Sequence, residues 1–115
     1  MYKVSLAIPI YNVSLFVERA LLSVLNQTYD NIEYLIVDDK GQDDSMDIVH
    51  RIIKDHPRGK DVRIIEHPYN IGLGATRNTA IDNAQGEYLF FMDSDDEIIP
   101  TSVSYTHLTL PTTSR

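Results

Sequence analysis

Hydrophobic positions change period along this chain in a regular way, and the changes mark its elements. Val4 to Ile8 is a short apolar run closed by Pro9, the pattern of a buried strand. From Val13 to Leu25 the apolar residues fall at Val13, Phe16, Val17, Ala20, Leu21, Val24 and Leu25. That is the spacing of one helical face, with Asn12 or Ser14 as cap and Glu18 in the early helix. Ile32 to Val37 is almost wholly apolar and predicts a strand covered on both faces. A second helix runs from about Ser45 to His56, with Met46, Val49, Ile52 and Ile53 inward and caps from Asp43 to Ser45. Pro57 and Gly59 end it. Val62 to Glu66 predicts a third strand. A weaker helix over Gly74 to Gln85 turns Ala75, Ala80, Ile81 and Ala84 inward and stops at Gly86, and Tyr88 to Met92 makes a fourth strand.

The order is βαβαβαβ, with connections long enough for crossovers. It predicts an α/β domain with a doubly wound, mainly parallel sheet. At 115 residues there is room for one domain. After Pro100 the character changes. Residues 101–115 hold five threonines, three serines and no acidic residue, and Pro111 interrupts whatever pattern is left. The expected organisation is therefore a domain over residues 1–100 and a tail over 101–115 that is poorly ordered or foreign to it.

Composition narrows the function. A formal charge of −7 argues against a nucleic-acid partner, which needs a basic face. It does not argue against a nucleotide, because a metal ion neutralises phosphate beside acidic residues. The absence of cysteine excludes disulfides and thiolate metal sites. No apolar run approaches the roughly 20 residues of a membrane span, and Met1 to Val4 leads straight into strand-like sequence without a signal-peptide core. A cytoplasmic setting is expected.

In an open parallel sheet, ligands bind beyond the carboxyl ends of the strands. The polar clusters fall there: Pro9-Ile10-Tyr11-Asn12, Asp38-Asp39, His67-Pro68-Tyr69-Asn70-Ile71-Gly72, and Asp93-Ser94-Asp95-Asp96. Asp93 and Asp95, two residues apart at a strand end, are hard oxygen ligands of the kind Mg²⁺ or Mn²⁺ favours. Asp43, Asp44 and Ser45 are better placed than Asp39 to cap the following helix. That leaves Asp39 to accept from a donor such as the imide N–H of uracil. Tyr11 either packs at the sheet edge or stacks on a nucleobase. Arg77 is either a solvated surface residue or a cation for a diphosphate. His50, His56, His67 and His107 form no ligand spacing and receive no role.

Laid out in this order, the chain resembles the inverting family 2 glycosyltransferases with the Rossmann-like GT-A fold. The likeness runs from Val4 to Pro100. It rests on Ser5-Leu6-Ala7-Ile8-Pro9-Ile10-Tyr11-Asn12, Ser23-Val24-Leu25-Asn26-Gln27-Thr28-Tyr29, Ile36-Val37-Asp38-Asp39, Asn70-Ile71-Gly72, Ala75-Thr76-Arg77-Asn78, Gly86-Glu87-Tyr88 and Phe91-Met92-Asp93-Ser94-Asp95-Asp96. The resemblance implies a nucleotide-sugar donor, most often a UDP-sugar, a glycan or lipid-linked acceptor, and a bound Mn²⁺ or Mg²⁺. It implies no nucleic acid and no transmembrane segment, and it is compatible with peripheral membrane association of a longer protein. Its implied donor site comprises Pro9, Tyr11, Asn12, Asp39, Asn70, Arg77, Asp93 and Ser94, with Asp93 and Asp95 as metal ligands. By the same likeness the Pro9–Tyr11 loop and Asp39 hold the base.

Two departures stand out. Where the family continues after the aspartate pair with a small Gly-Ser-Thr-type turn, this chain has Lys40-Gly41-Gln42-Asp43. The family also continues beyond the D-x-D with an acceptor-binding region and a catalytic base, which has no counterpart after Pro100. The expectation is a truncated nucleotide-binding half, with no catalytic residue identified and little transfer by itself. A receiver-type signalling module has the same class of fold but needs an acidic pair after its first strand. A nucleotidyltransferase of related fold needs a glycine-rich basic loop there. Neither matches Pro9-Ile10-Tyr11-Asn12.

Overall fold

In a computed structural model, which describes residues 2–92, the chain alternates strand and helix as the periodicity predicts. Strand β1 (Val4–Ile10) leads through helix α1 (Val17–Leu25) to β2 (Ile32–Asp38), and α2 (Ser45–Asp55) with a 3₁₀ turn (Pro57–Asp61) leads to β3 (Val62–Glu66). Helix α3 (Leu73–Asn83) then returns the chain to β4 (Tyr88–Phe91). The sheet has four strands in the order β3-β2-β1-β4, and every pairing is parallel.

Side-chain alternation sorts the strands into two faces. Leu6, Ile8 and Ile10 of β1 and Tyr34 and Ile36 of β2 pack with Val17, Leu21, Val24 and Leu25 of α1 and with Val49 and Ile52 of α2. The alternate residues Ala7, Leu35 and Val37 face the other way, onto Ala80 of α3. Every residue of β2 is buried, as its apolar run predicts. Helices thus cover both faces. The chain grows from β1 toward β3 and then jumps back across to β4, which makes the β1–β4 boundary the topological switch point.

Element ends depart from the sequence pattern for local reasons. Strand β1 does not close at Pro9 but runs on to Ile10, in register with Asp38. Pro9 shares its parity with Ala7, whose carbonyl accepts from Met92 N of the β4 segment at 3.0 Å, and the described β1–β4 pairing ends at Ala7↔Phe91. The N–H that proline lacks would point past the end of that described pairing. Helix α1 begins at Val17, not Val13, and Phe16 at its N-cap makes no side-chain cap bond. Asn12 and Ser14 do not cap it, because both are engaged with the loop after β2, and Leu15 is left 89% exposed. Ser45 opens α2 with its amide and hydroxyl both donating to Asp43 Oδ1. Helix α3 ends at Ala84 rather than at Gly86. Gly86 serves a close approach instead: a Cβ there would lie 2.7 Å from the Lys3 carbonyl and 2.8 Å from Ser5 Oγ.

Candidate functional site

The loops at the carboxyl ends of β1 and β2 are joined by hydrogen bonds between side chains and backbone. Gln42 N donates to Asn12 Oδ1 at 2.7 Å, Val13 N to Ser45 Oγ at 2.9 Å, and Ser14 N to Asp43 Oδ2 at 3.0 Å. Asn12 therefore acts as a latch between loops, and a φ of 51° suits an asparagine. Tyr11 stands beside this latch, 45% exposed. Asp43 takes three donors. Burial works against its charged form, but the Ser45 and Ser14 donors outweigh it and hold the carboxyl below the ordinary aspartate value.

Asp38 and Asp39 divide their work. Asp38 Oδ1 accepts from Lys40 N at 2.9 Å, a local turn at the strand end. Asp39 is buried, only 2% exposed, with its own N–H donating to the Ile10 carbonyl. Its carboxylate gathers the whole loop after β3. Oδ1 accepts from the His67 ring at 2.8 Å and Ile71 N at 2.9 Å; Oδ2 accepts from Asn70 Nδ2 at 2.7 Å and Gly72 N at 3.0 Å. Burial alone would raise the pKa of Asp39. The His67 ring and the Ile71 and Gly72 amides outweigh it, so the group is held ionised below its usual range. The sequence left Asp39 free for an outside donor; the structure shows each of its oxygens already carrying two donors from this chain.

Gly72 makes this geometry possible. Its φ of 111° and ψ of 169° let the chain turn into α3 directly after the Ile71 and Gly72 amides that meet the carboxylate. Lys40, which replaces the family's small residue, adopts φ 56°, a conformation that glycine reaches without strain. Its ammonium turns away to Glu66, 3.0 Å off at the end of β3.

A second part of the site lies on the α3 side of the sheet. Ala7, Pro9, Val37, Thr76, Arg77, Ala80, Phe91 and Met92 line a small, open cleft. The Arg77 guanidinium rides over the Phe91 ring, 5.6 Å from its centroid. Among the described residues no carboxylate pairs with Arg77. The structure thus brings Pro9 and Arg77 together in one cleft and Asp39 and Asn70 into one network. Both lie at the carboxyl edge of the sheet. Asp93, Ser94 and Asp95 lie outside the described residues, and within those residues no group of three or more His, Cys, Asp or Glu side chains is arranged to hold a metal.

One residue of the site was given no role by the sequence. His67 is 6% exposed, its Nδ1 on Asp39 and its Nε2 2.7 Å from Thr79 Oγ1 of α3. A search for metal-ligand spacing passes over such a residue, although its place just after β3 is a strand-end position.

A doubly wound sheet with its polar residues at the switch-point edge defines a nucleotide-binding class of fold. The family is defined by sequence. Residues 5–106 match the model of glycosyl transferase family 2, and the chain belongs to that family. The match continues past Pro100, where the motif reading stopped. A UDP-Glc:α-D-GlcNAc-diphosphoundecaprenol β-1,3-glucosyltransferase of Escherichia coli is 40% identical over 106 residues, 90% of this chain and 39% of the relative. S. aureus TarS in complex with UDP-GlcNAc superposes with a TM-score of 0.79 at 28% identity, over 89% of this chain and 29% of that one. A mannosyltransferase from Pyrobaculum calidifontis in complex with GDP-Man and Mn²⁺ gives a TM-score of 0.78 at 26% identity, covering 84% and 28%. The sheet and its helices are those of the GT-A fold. The chain spans well under half the length of each of these proteins.

Proposed function

We propose that this chain binds the nucleoside-diphosphate sugar of a glycosyltransferase, a UDP-sugar, at the carboxyl edge of its sheet. Asp93 and Asp95 would hold a divalent Mn²⁺ or Mg²⁺, which would supply positive charge to the diphosphate, and the longer protein would pass the sugar with inversion to a glycan or lipid-linked acceptor. The observation that carries the reading is the Asp39 network. An ionised carboxylate, held at the carboxyl edge of the sheet by four donors, is built to accept from a base N–H. Three of those donors are fixed: two backbone amides, and a ring held at its far side by Thr79. Asn70 is the fourth, an exposed residue whose Nδ2 reaches Asp39 Oδ2 on a rotatable side chain, and it is the donor an incoming base displaces.

The other residues take their roles from position. Tyr11 offers an exposed ring to the face of the base, and Asn12 holds the loop beneath it. Arg77, in the cleft with Pro9, supplies a cation for the diphosphate, and Ser94 stands between the two metal ligands in sequence. Displacing a sugar from a diphosphate builds negative charge on the leaving group, which a divalent ion stabilises when bound. No helix among the described residues is long and apolar enough to cross a membrane.

The test separates base from phosphates. Asp39→Ala should weaken UDP about ten- to a hundredfold, the loss of one charge-assisted hydrogen bond, while leaving inorganic pyrophosphate nearly unchanged. An unchanged UDP affinity, measured by calorimetry, removes Asp39 from the site.

A further inference from the structure

We propose that His67 is a positioning residue for base recognition: its ring, anchored on the Thr79 hydroxyl of α3, sets the orientation of the Asp39 carboxylate that receives the base. This rests on the reading of Asp39 given above and goes beyond it by assigning the groups that aim the carboxylate.

The chain of contacts is short and enclosed. Asp39 Oδ1, His67 Nδ1, His67 Nε2 and Thr79 Oγ1 follow in line at 2.8 and 2.7 Å, with both Asp39 and His67 buried. An ionised carboxylate only accepts, so Nδ1 carries the proton and donates to Asp39, while the Thr79 hydroxyl meets Nε2 on the far side of the ring. The hydroxyl thereby fixes the orientation of the ring that donates to Asp39, as the outer partner of a ligating histidine fixes its ring. The anchor is rigid at both ends. His67 N donates to the Asp38 carbonyl at 2.9 Å, which fastens the ring's backbone to β2, and Thr79 sits on α3 between Thr76 and Ala80, both buried against the sheet. Asn70, by contrast, holds Asp39 from an exposed loop position. Without the ring, Oδ1 would keep only the Ile71 amide, and the one side-chain donor left to the carboxylate would be the exposed Asn70 on Oδ2. The ring and the Arg77-bearing helix are also tied together, because Thr79 follows Arg77 by two residues.

The experiment uses the full chain and compares UDP with inorganic pyrophosphate. His67→Leu should lower UDP affinity about tenfold with pyrophosphate unchanged, and His67→Asn, which restores a donor near the Nδ1 position, should recover most of the loss. Thr79→Val removes the hydroxyl at constant shape and should lower UDP affinity severalfold, whereas Thr79→Ser should bind more tightly than the valine variant. Nitrogen-15 shifts of the His67 ring should show Nδ1 protonated. Should His67→Leu fail to fold, the Thr79 pair decides alone. Equal UDP affinity in Thr79→Val and Thr79→Ser, or the opposite tautomer, overturns the proposal. If His67→Leu binds UDP as the unmodified chain does while Asp39→Ala does not, the positioning role falls and the Asp39 reading stands. If Asp39→Ala itself binds UDP normally, both fall.

Discussion

Glu33 gives a stability test far from the ligand edge. It lies within an apolar strand, 7% exposed, and its Oε2 accepts both the Ser5 hydroxyl and the Gln85 amide at 2.5 Å. Its Oε1 meets Arg63 Nη2 at 3.3 Å, and Ser5 Oγ in turn accepts from Gly86 N at 2.9 Å. One carboxylate therefore fastens the α3–β4 connection to β1, β2 and β3. Glu33→Ala strands two donors, each costing about 1–3 kcal/mol where water cannot reach it. Arg63, with 42% of its side chain exposed, keeps its bond to the Asn83 carbonyl and adds little. The sum, about 2–6 kcal/mol, is a large part of the roughly 5–15 kcal/mol that holds a domain together. At about 4 °C per kcal/mol it lowers Tm by roughly 8–24 °C. Glu33→Gln keeps the shape and one acceptor and should cost less. Because Ser5 and Glu33 touch, Ser5→Ala and Glu33→Ala together should cost less than the sum of the two single effects. Urea unfolding of the four variants measures this. A loss below about 0.5 kcal/mol for Glu33→Ala, or strict additivity in the cycle, refutes the reasoning.

Two further outcomes are expected. Gly72→Ala meets open space but must hold φ at 111°, so it should destabilise by about 1–3 kcal/mol and weaken UDP, whereas Gly74→Ala, also unobstructed but helical, should be neutral or stabilising; equal Tm values for the two would contradict the backbone argument. Asp39 and Asp43 have folded pKa values below the ordinary aspartate value of about 3.9, so their contribution is full above that value and is lost as pH falls through the lowered ones. Urea midpoints should thus hold to about pH 5 as far as these groups are concerned and drop below about pH 4, less steeply for Asp39→Asn; an identical acid profile for that variant would show that the network does not favour the charged form.

Much of the fold can be read from the sequence, because its signals are local. Apolar periodicity found every strand and every α-helix of the described residues, and the mostly apolar β2 is buried on both faces. The strand-end rule also pointed at Asp39, Asn70 and Pro9. The misplaced features belong to contacts between distant segments. Asn12 and Ser14 look like helix caps until Gln42 and Asp43, about thirty residues away, engage them. Asp39 looks unpartnered until the loop at residues 67–72 folds over it. His67 carries no spacing motif, because its partners come from β2 and α3. Glu33 reads as one charge in an apolar run, and only the register of β1 and β2 puts Ser5 against it.

The central claim is that UDP binds across the carboxyl edge of this sheet. Backbone amide shifts in the nitrogen-15-labelled chain, recorded during a UDP titration with Mg²⁺, test it most directly. The account predicts shifts at Tyr11, Asn12, Asp39, Lys40, Asn70 to Gly72 and Arg77, with Lys3, Gln85 and Glu87 at the opposite edge unmoved. The shifts should grow with Mg²⁺ and shrink in Asp95→Ala. Shifts confined to the opposite edge, or none at millimolar UDP, would contradict it.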